Sequence, residues 1–183
     1  MIISKVLSLV ESLNSRVYLH GGPAQLDGGN LKRGGRKGHD MGALFFVPEN
    51  EDGYKHAIGY AISRSPRDWA VYRVRLNAPD NKIFNFTNPR HKKIAQQHSP
   101  SQYQSWEQSK GTSGHLDWTA VDEELLEEWG FKGAIFHERS KDVVNSNQDI
   151  ISIGIFDPND ASIISRLTKQ DIIEKMPHLY QEG

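Results

Sequence analysis

The chain contains no cysteine. Disulfides, thiolate zinc sites, iron–sulfur clusters and cysteine nucleophiles are excluded with it, and so is a small secreted domain held by disulfide staples. An excess of either charge is also missing. The 22 Lys and Arg stand against 23 Asp and Glu, a formal charge of -1. That excludes a polycationic nucleic-acid coat and an acidic tail, while leaving room for a local basic patch. Apolar runs extend only a few residues, far short of a bilayer span. The N-terminal stretch to Leu13 holds one Lys and an interrupted apolar pattern, without the continuous apolar region and cleavage site of a signal peptide. The expectation is a soluble, cytoplasmic protein. With no internal repeat and no compositional break, residues 1–183 read as one domain around one core.

What is present alternates between short apolar stretches and polar connections. Ile2, Ile3, Val6, Leu7, Val10 and Leu13 recur at helical spacing and predict an amphipathic N-terminal helix. Residues 16–20 read as a strand stopped by Gly21-Gly22-Pro23. Residues 21–42 are rich in glycine and carry Lys32, Arg33, Arg36 and Lys37, which predicts a long functional loop. A strand over 43–47, a helix over 54–62, an alternating strand over 70–76 and a short edge strand at 83–86 follow. Residues 87–116 show no clear period and predict helix fragments and loop. Between 117 and 130 a helix is expected, capped by Thr119, with Val121, Leu125 and Trp129 as its apolar stripe and Gly130 as its stop. Strands over 131–136 and 150–156 flank a polar excursion at 138–149. A capping-box pattern, Thr168 with Asp171, opens a last helix to Met176. Strands separated by variable segments, without regular strand–helix alternation, make the fold class α+β.

Several chemical motifs fail on their residues. The eight histidines include no pair at i, i+4 with a glutamate between; His137-Glu138 is followed by Arg139-Ser140-Lys141 and no second His, so no metal site is expected and most histidines are read as solvated. The glycine-rich loop matches neither a P-loop nor a Rossmann fingerprint, and no G-x-S-x-G elbow occurs. A basic face from Lys32, Arg33, Arg36, Lys37, Arg90, His91, Lys92 and Lys93, beside Tyr103 and Trp106, keeps a nucleic-acid partner open.

One joint pattern survives. It consists of Tyr18-Leu19-His20-Gly21-Gly22; Gly42-Ala43-Leu44-Phe45-Phe46-Val47 followed by Ala57-Ile58-Gly59-Tyr60-Ala61; and Trp129-Gly130-Phe131-Lys132-Gly133-Ala134-Ile135-Phe136 followed by Ile153-Gly154-Ile155-Phe156-Asp157-Pro158. In order and spacing this resembles the His-type branch of the ADP-ribosyltransferase superfamily, which includes the poly-ADP-ribose polymerases, diphtheria-toxin-like enzymes, and phage and bacterial mono-ADP-ribosyltransferases, an anti-CRISPR member among them. The likeness spans residues 16–62 and 120–165, about half the chain.

The resemblance implies a split β-sandwich with an N-terminal helix and helices packed on the sheets, NAD as the substrate and no metal. It implies transfer of ADP-ribose to a macromolecular acceptor, a protein in the first instance, with nicotinamide released; nucleic acid is the other acceptor class, and no membrane is involved. A toxin or effector delivered into the cytoplasm of a target cell is one setting for such an enzyme. On this likeness His20 donates to a ribose hydroxyl, and Gly21 offers its backbone to the nicotinamide amide. Tyr60 gives the ring a flat face; Phe45 and Phe46, both assigned to the cofactor, alternate so that one lines the pocket while the other enters the core; and Arg33 or Arg36 meets the pyrophosphate. The family glutamate, four residues before the Phe of the final strand, corresponds to Ser152. Members that carry the acid after the preceding strand point instead to Glu138, with Asp149 and Gln148 as substitutes. The expected catalytic set is therefore Glu138, His20 and Phe45, the alternative being an inactive NAD-binding module of the same fold.

Overall fold

The computed structural model describes residues 13–26, 31, 43–138 and 150–179. The predicted N-terminal helix, most of the glycine-rich loop with Arg33 and Arg36, and residues 139–149 with Gln148 and Asp149 lie outside them.

The described residues build an α+β fold on one mixed sheet. The strands are β1 (Val17–Pro23), β2 (Leu44–Pro48), β3 (Trp69–Leu76), β4 (Ile83–Asn85), β5 (Leu116–Asp117), β6 (Gly133–Glu138), β7 (Ile150–Ile155) and β8 (Ala161–Thr168). They run in the order β4-β6-β7-β2-β1-β3-β8, with β5 pairing beside β6. β4 and β5 are parallel to β6; the other pairings are antiparallel. The helices are α1 (Glu51–Arg64), α2 (Pro89–His98), α3 (Pro100–Ser109), α4 (Glu123–Glu128) and α5 (Lys169–Lys175).

Strand alternation sorts the apolar side chains into layers. One face of the whole sheet gathers Tyr18, Tyr72, Val74, Leu44, Phe46, Ile153, Ile155 and Ile83 into a single cluster that takes in strands from both halves. The other face divides. Over β1, β2 and β3, Leu19, Val47, Trp69 and Val71 pack on Ala57, Ile58 and Ala61 of α1 and Ile172 of α5. Over β4 and β6, Phe84, Ala134 and Phe136 pack with Phe86, Ala95, Trp106, Leu126 and Phe131.

The two halves meet at a weak seam. β1 pairs with β3 over seven residues, but with β2 only at Tyr18↔Pro48 and Leu19↔Val47. Beyond that the strands separate, and the His20 ring takes over: Nδ1 lies 2.9 Å from the Phe45 carbonyl and donates to it.

Several boundaries differ from expectation for local reasons. Gly21, Gly22 and Pro23 do not end β1, because each is held in register by β3, Pro23 against Trp69. The helix expected over 117–130 is cut down to α4. Asp117 accepts from Thr119 N–H and starts a single 3₁₀ turn over Trp118–Ala120, and Asp122 then caps α4 through the Leu125 N–H. The cap is therefore not Thr119, and the buried positions are Val121 and Leu126 rather than Leu125 and Trp129, which stay partly buried. Gly130 does stop the helix, at a φ of 80° that suits glycine. Strand β8, absent from the expected elements, is the exposed sheet edge and displays Ile163 and Ile164. Among the described residues no helix is long and apolar enough to cross a membrane.

Candidate functional site

Helix α1 organises the site. Asn50 caps it by accepting from the Gly53 N–H at 2.8 Å, and Glu51 and Asp52 fill its first turn. It lies on β1 at unusually close range. A Cβ at Gly21 would run into the Ala57 carbonyl, and one at Gly53 into the Pro48 carbonyl. These two glycines let the helix settle on the strands through its Gly53, Ala57 and Ala61 face.

That docking turns a neighbouring stripe, His56, Tyr60 and Arg64, along the edge of the helix; successive members are about 6 Å apart at 1.5 Å per residue. At one end His56 Nε2 meets Glu138 Oε2 at 2.6 Å, with both side chains largely buried (6% and 13% exposed). In the middle Tyr60 is half-buried, and its hydroxyl accepts from Arg64 Nη2 at 2.9 Å. The Arg64 guanidinium also lies 5.2 Å from the centre of the Tyr60 ring. His20 lies apart from this stripe, on the other face of β1, with its ring 5.6 Å from that of Phe46. The His20 pKa is lowered chiefly by burial, against the opposing pull of the Phe45 carbonyl and with a smaller push from Arg64.

The strands supply the rest. Phe45 is half-buried and packs edge-on against Phe136 at 5.4 Å and Trp118 at 6.3 Å. Glu138, the last residue of β6, shares the sheet face of Ala134 and Phe136 by alternation. Ser152 lies directly opposite Phe136 in the register, and Glu138 opposite Ile150. Glu138 and Ser152 are therefore diagonal neighbours on one face, within about 7–8 Å at their Cβ atoms. Ser152 is fully buried, and its hydroxyl finds no hydrogen-bond partner.

Glu138 is thus tied to α1 through His56, with Tyr60 one turn along the same helix and Phe45 on the same sheet face, whereas His20 lies on the other face of β1, its ring 5.6 Å from that of Phe46. Three expectations need correction. Phe46 is fully buried on the opposite face, in the shared cluster, so alternation assigns the pocket wall to Phe45 alone. The open side of Gly21 is filled by the backbone of α1, so its missing side chain serves helix docking. Most histidines are not solvated: His56, His91 and His137 are buried, and His20 and His115 half-buried.

The aromatic part of the supposed basic face is also core. Trp106 is fully buried and donates from Nε1 to the Ala120 carbonyl, and His91 is buried against Phe84. Lys92 is engaged by Glu107, which Tyr103 and Lys110 also bind.

His56 is the residue that sequence reasoning missed. Its one signal is its place four residues before Tyr60, at the border of the apolar face of α1. Among the described residues, no group of three or more His, Asp or Glu is arranged to hold a metal. Comparison of the chain with protein-family models, curated proteins and solved structures returns no match.

Proposed function

We propose that the chain is an NAD-dependent mono-ADP-ribosyltransferase with a split-sandwich domain, transferring ADP-ribose from NAD to a protein acceptor. The carrying observation is a largely buried carboxylate, Glu138, held at the end of β6 by His56 of α1, with the half-buried Tyr60 one turn along the same helix and Phe45 on the same sheet face. The donor set suits a pyridinium nucleotide. Tyr60 and Phe45 offer aromatic surface to a flat cationic ring, and His20 offers an imidazole to a ribose hydroxyl. Glu138 supplies negative charge beside the carbon that gains positive charge as the bond breaks.

In the reaction the bond from ribose C1′ to the nicotinamide nitrogen breaks, and its electron pair leaves with nicotinamide. A lone pair of the acceptor forms the new bond to C1′, and the acceptor loses its proton to solvent or a base. NAD is consumed as a substrate, which puts the activity in a cytoplasm, the cell's own or that of a target cell.

The test is incubation of the protein with adenylate-labelled NAD and a cell lysate. Label on protein, with one nicotinamide released per label, is the expected outcome. Glu138→Ala should lower nicotinamide release per folded molecule by about 10²- to 10³-fold, the usual loss when one electrostatic stabiliser of a transition state is removed. Unaltered release in that variant removes Glu138 from the reaction, and release by neither protein overturns the proposal. Ser152 at the family glutamate position favours a second reading, NAD binding without turnover, which calorimetry would reveal as a binding isotherm with no nicotinamide produced.

A further inference from the structure

We infer that His56 is a positioning residue, which holds the Glu138 carboxylate in its working orientation by donating from Nε2 to Oε2; the inference rests on the transferase reading above. The contact is 2.6 Å long and largely buried on both sides. A carboxylate and an imidazole withdrawn from water together carry a desolvation cost that packing alone does not return.

The geometry explains what the pairing does. Glu138 is the last residue of β6, paired with Ile150 at the end of the ladder, and its long side chain has several free rotations. On the β7 strand, the position usually occupied by the family acid would have been fixed within the sheet; here it is Ser152. A carboxylate placed at the strand end instead needs an outside hold, and α1 provides it. His56 sits one residue before Ala57, where the helix backbone is pressed onto Gly21, so the imidazole is carried by the most tightly docked turn of the helix. One carboxylate oxygen is tied by Nε2, and Oε1 is the atom assigned to a substrate hydroxyl. The Nδ1 atom is buried and has no hydrogen-bond partner, so the ring makes its hydrogen bond only through the nitrogen that faces Glu138.

Isosteric substitution tests this. The Gln side-chain amide reaches about as far as imidazole Nε2, while that of Asn reaches only as far as Nδ1. His56→Gln should keep kcat for nicotinamide release within about threefold of the unmodified protein. His56→Asn and His56→Ala should lose about 10- to 100-fold in kcat, the rate equivalent of one charge-assisted hydrogen bond, with KM for NAD little changed. The imidazole ¹⁵N spectrum should show the proton of His56 on Nε2, with its resonance shifted in Glu138→Gln.

Equal kcat in the Asn, Ala and unmodified proteins, or a proton resident on Nδ1, overturns the inference while leaving the transferase reading in place. Loss of folding in all three variants, seen as early melting, makes His56 a structural residue and overturns it as well. No nicotinamide release from the unmodified protein overturns the transferase reading and this inference with it.

Discussion

The two shells that cover one face of the sheet solve burial in opposite ways. Over β4 and β6 the shell is aromatic. Phe84, Phe86, Trp106 and Phe131 pack edge-on or tilted with centroids 5.1–6.4 Å apart. Two of its buried ring nitrogens are matched: Trp106 Nε1 donates to Ala120, and His91 Nδ1 accepts from the Asn85 N–H. Over β1 and β2 the shell is thin and small, with Gly21 against Ala57 and Ala61. Where the two shells meet, Glu138 of β6, Ser152 of β7 and His56 of α1 bury a carboxylate, a hydroxyl and an imidazole that apolar residues could replace. The aromatic packing is explained by stability alone. The border between the shells holds polar groups that stability does not require, and such groups point to chemistry.

The contrast can be broken most forcefully at Trp106. Trp106→Ala should cost about 3–5 kcal/mol, by cavity formation and loss of the Ala120 hydrogen bond. Chemical denaturation should show this, while nicotinamide release per folded molecule stays unchanged. A selective loss of release would join the aromatic shell to the site. Gly21→Ala comes next. The added methyl meets the Ala57 carbonyl, so the substitution should cost about 1–3 kcal/mol and loosen α1. Gly22→Ala should be milder, because the nearest atom to its Cβ would be His20 Nε2 at 3.6 Å. Equal melting temperatures for the two variants would contradict the close docking of α1.

A pH series probes both shells together. Burial lowers the pKa of His20, His91 and His115 below the ordinary 6.5. The unfolded chain therefore takes up protons that the folded protein refuses. Stability is complete above about pH 6.5 and is lost as the pH falls toward 5. Glu49 and Glu107 are held low by Arg73 and by Lys110 with Lys92, Glu107 at about 2, so their titration falls below that window. A melting temperature constant from pH 7 to 5 would contradict the burial of these rings. The smallest change is expected from Ser152→Ala, which removes an unpartnered buried hydroxyl and should stabilise by about 1 kcal/mol. A clear loss of stability would mean that the hydroxyl has a role the hydrogen-bond pattern does not reveal.

Much of the framework was legible where neighbours in sequence interact. The alternation of Tyr72, Val74 and Leu76 marks β3, Gly130 marks the end of α4, and Thr168 with Asp171 forms the capping box that opens α5. The errors fall where a distant element intervenes. Gly21-Gly22-Pro23 carries every local signal of a stop, yet β3 keeps it extended. Residues 87–116 showed no period because α2 and α3 are short and bury little beyond His91, Ala95 and Trp106. Phe45 and Phe46 were legible as an alternating pair, but which of them faces the core was not. Glu138 could be singled out, but not its partner.

The sequence by itself determined the α+β class, the capping box of α5, the alternation of the strands and the residues from which a site could be drawn, because capping and alternation act between residues a few positions apart. The tertiary structure decided which face Phe46 enters, that Gly21 serves a helix, and that His56 of α1 meets Glu138 of β6. Those outcomes depend on register and helix docking between segments far apart in the chain, where burial and close packing prevail over any local preference.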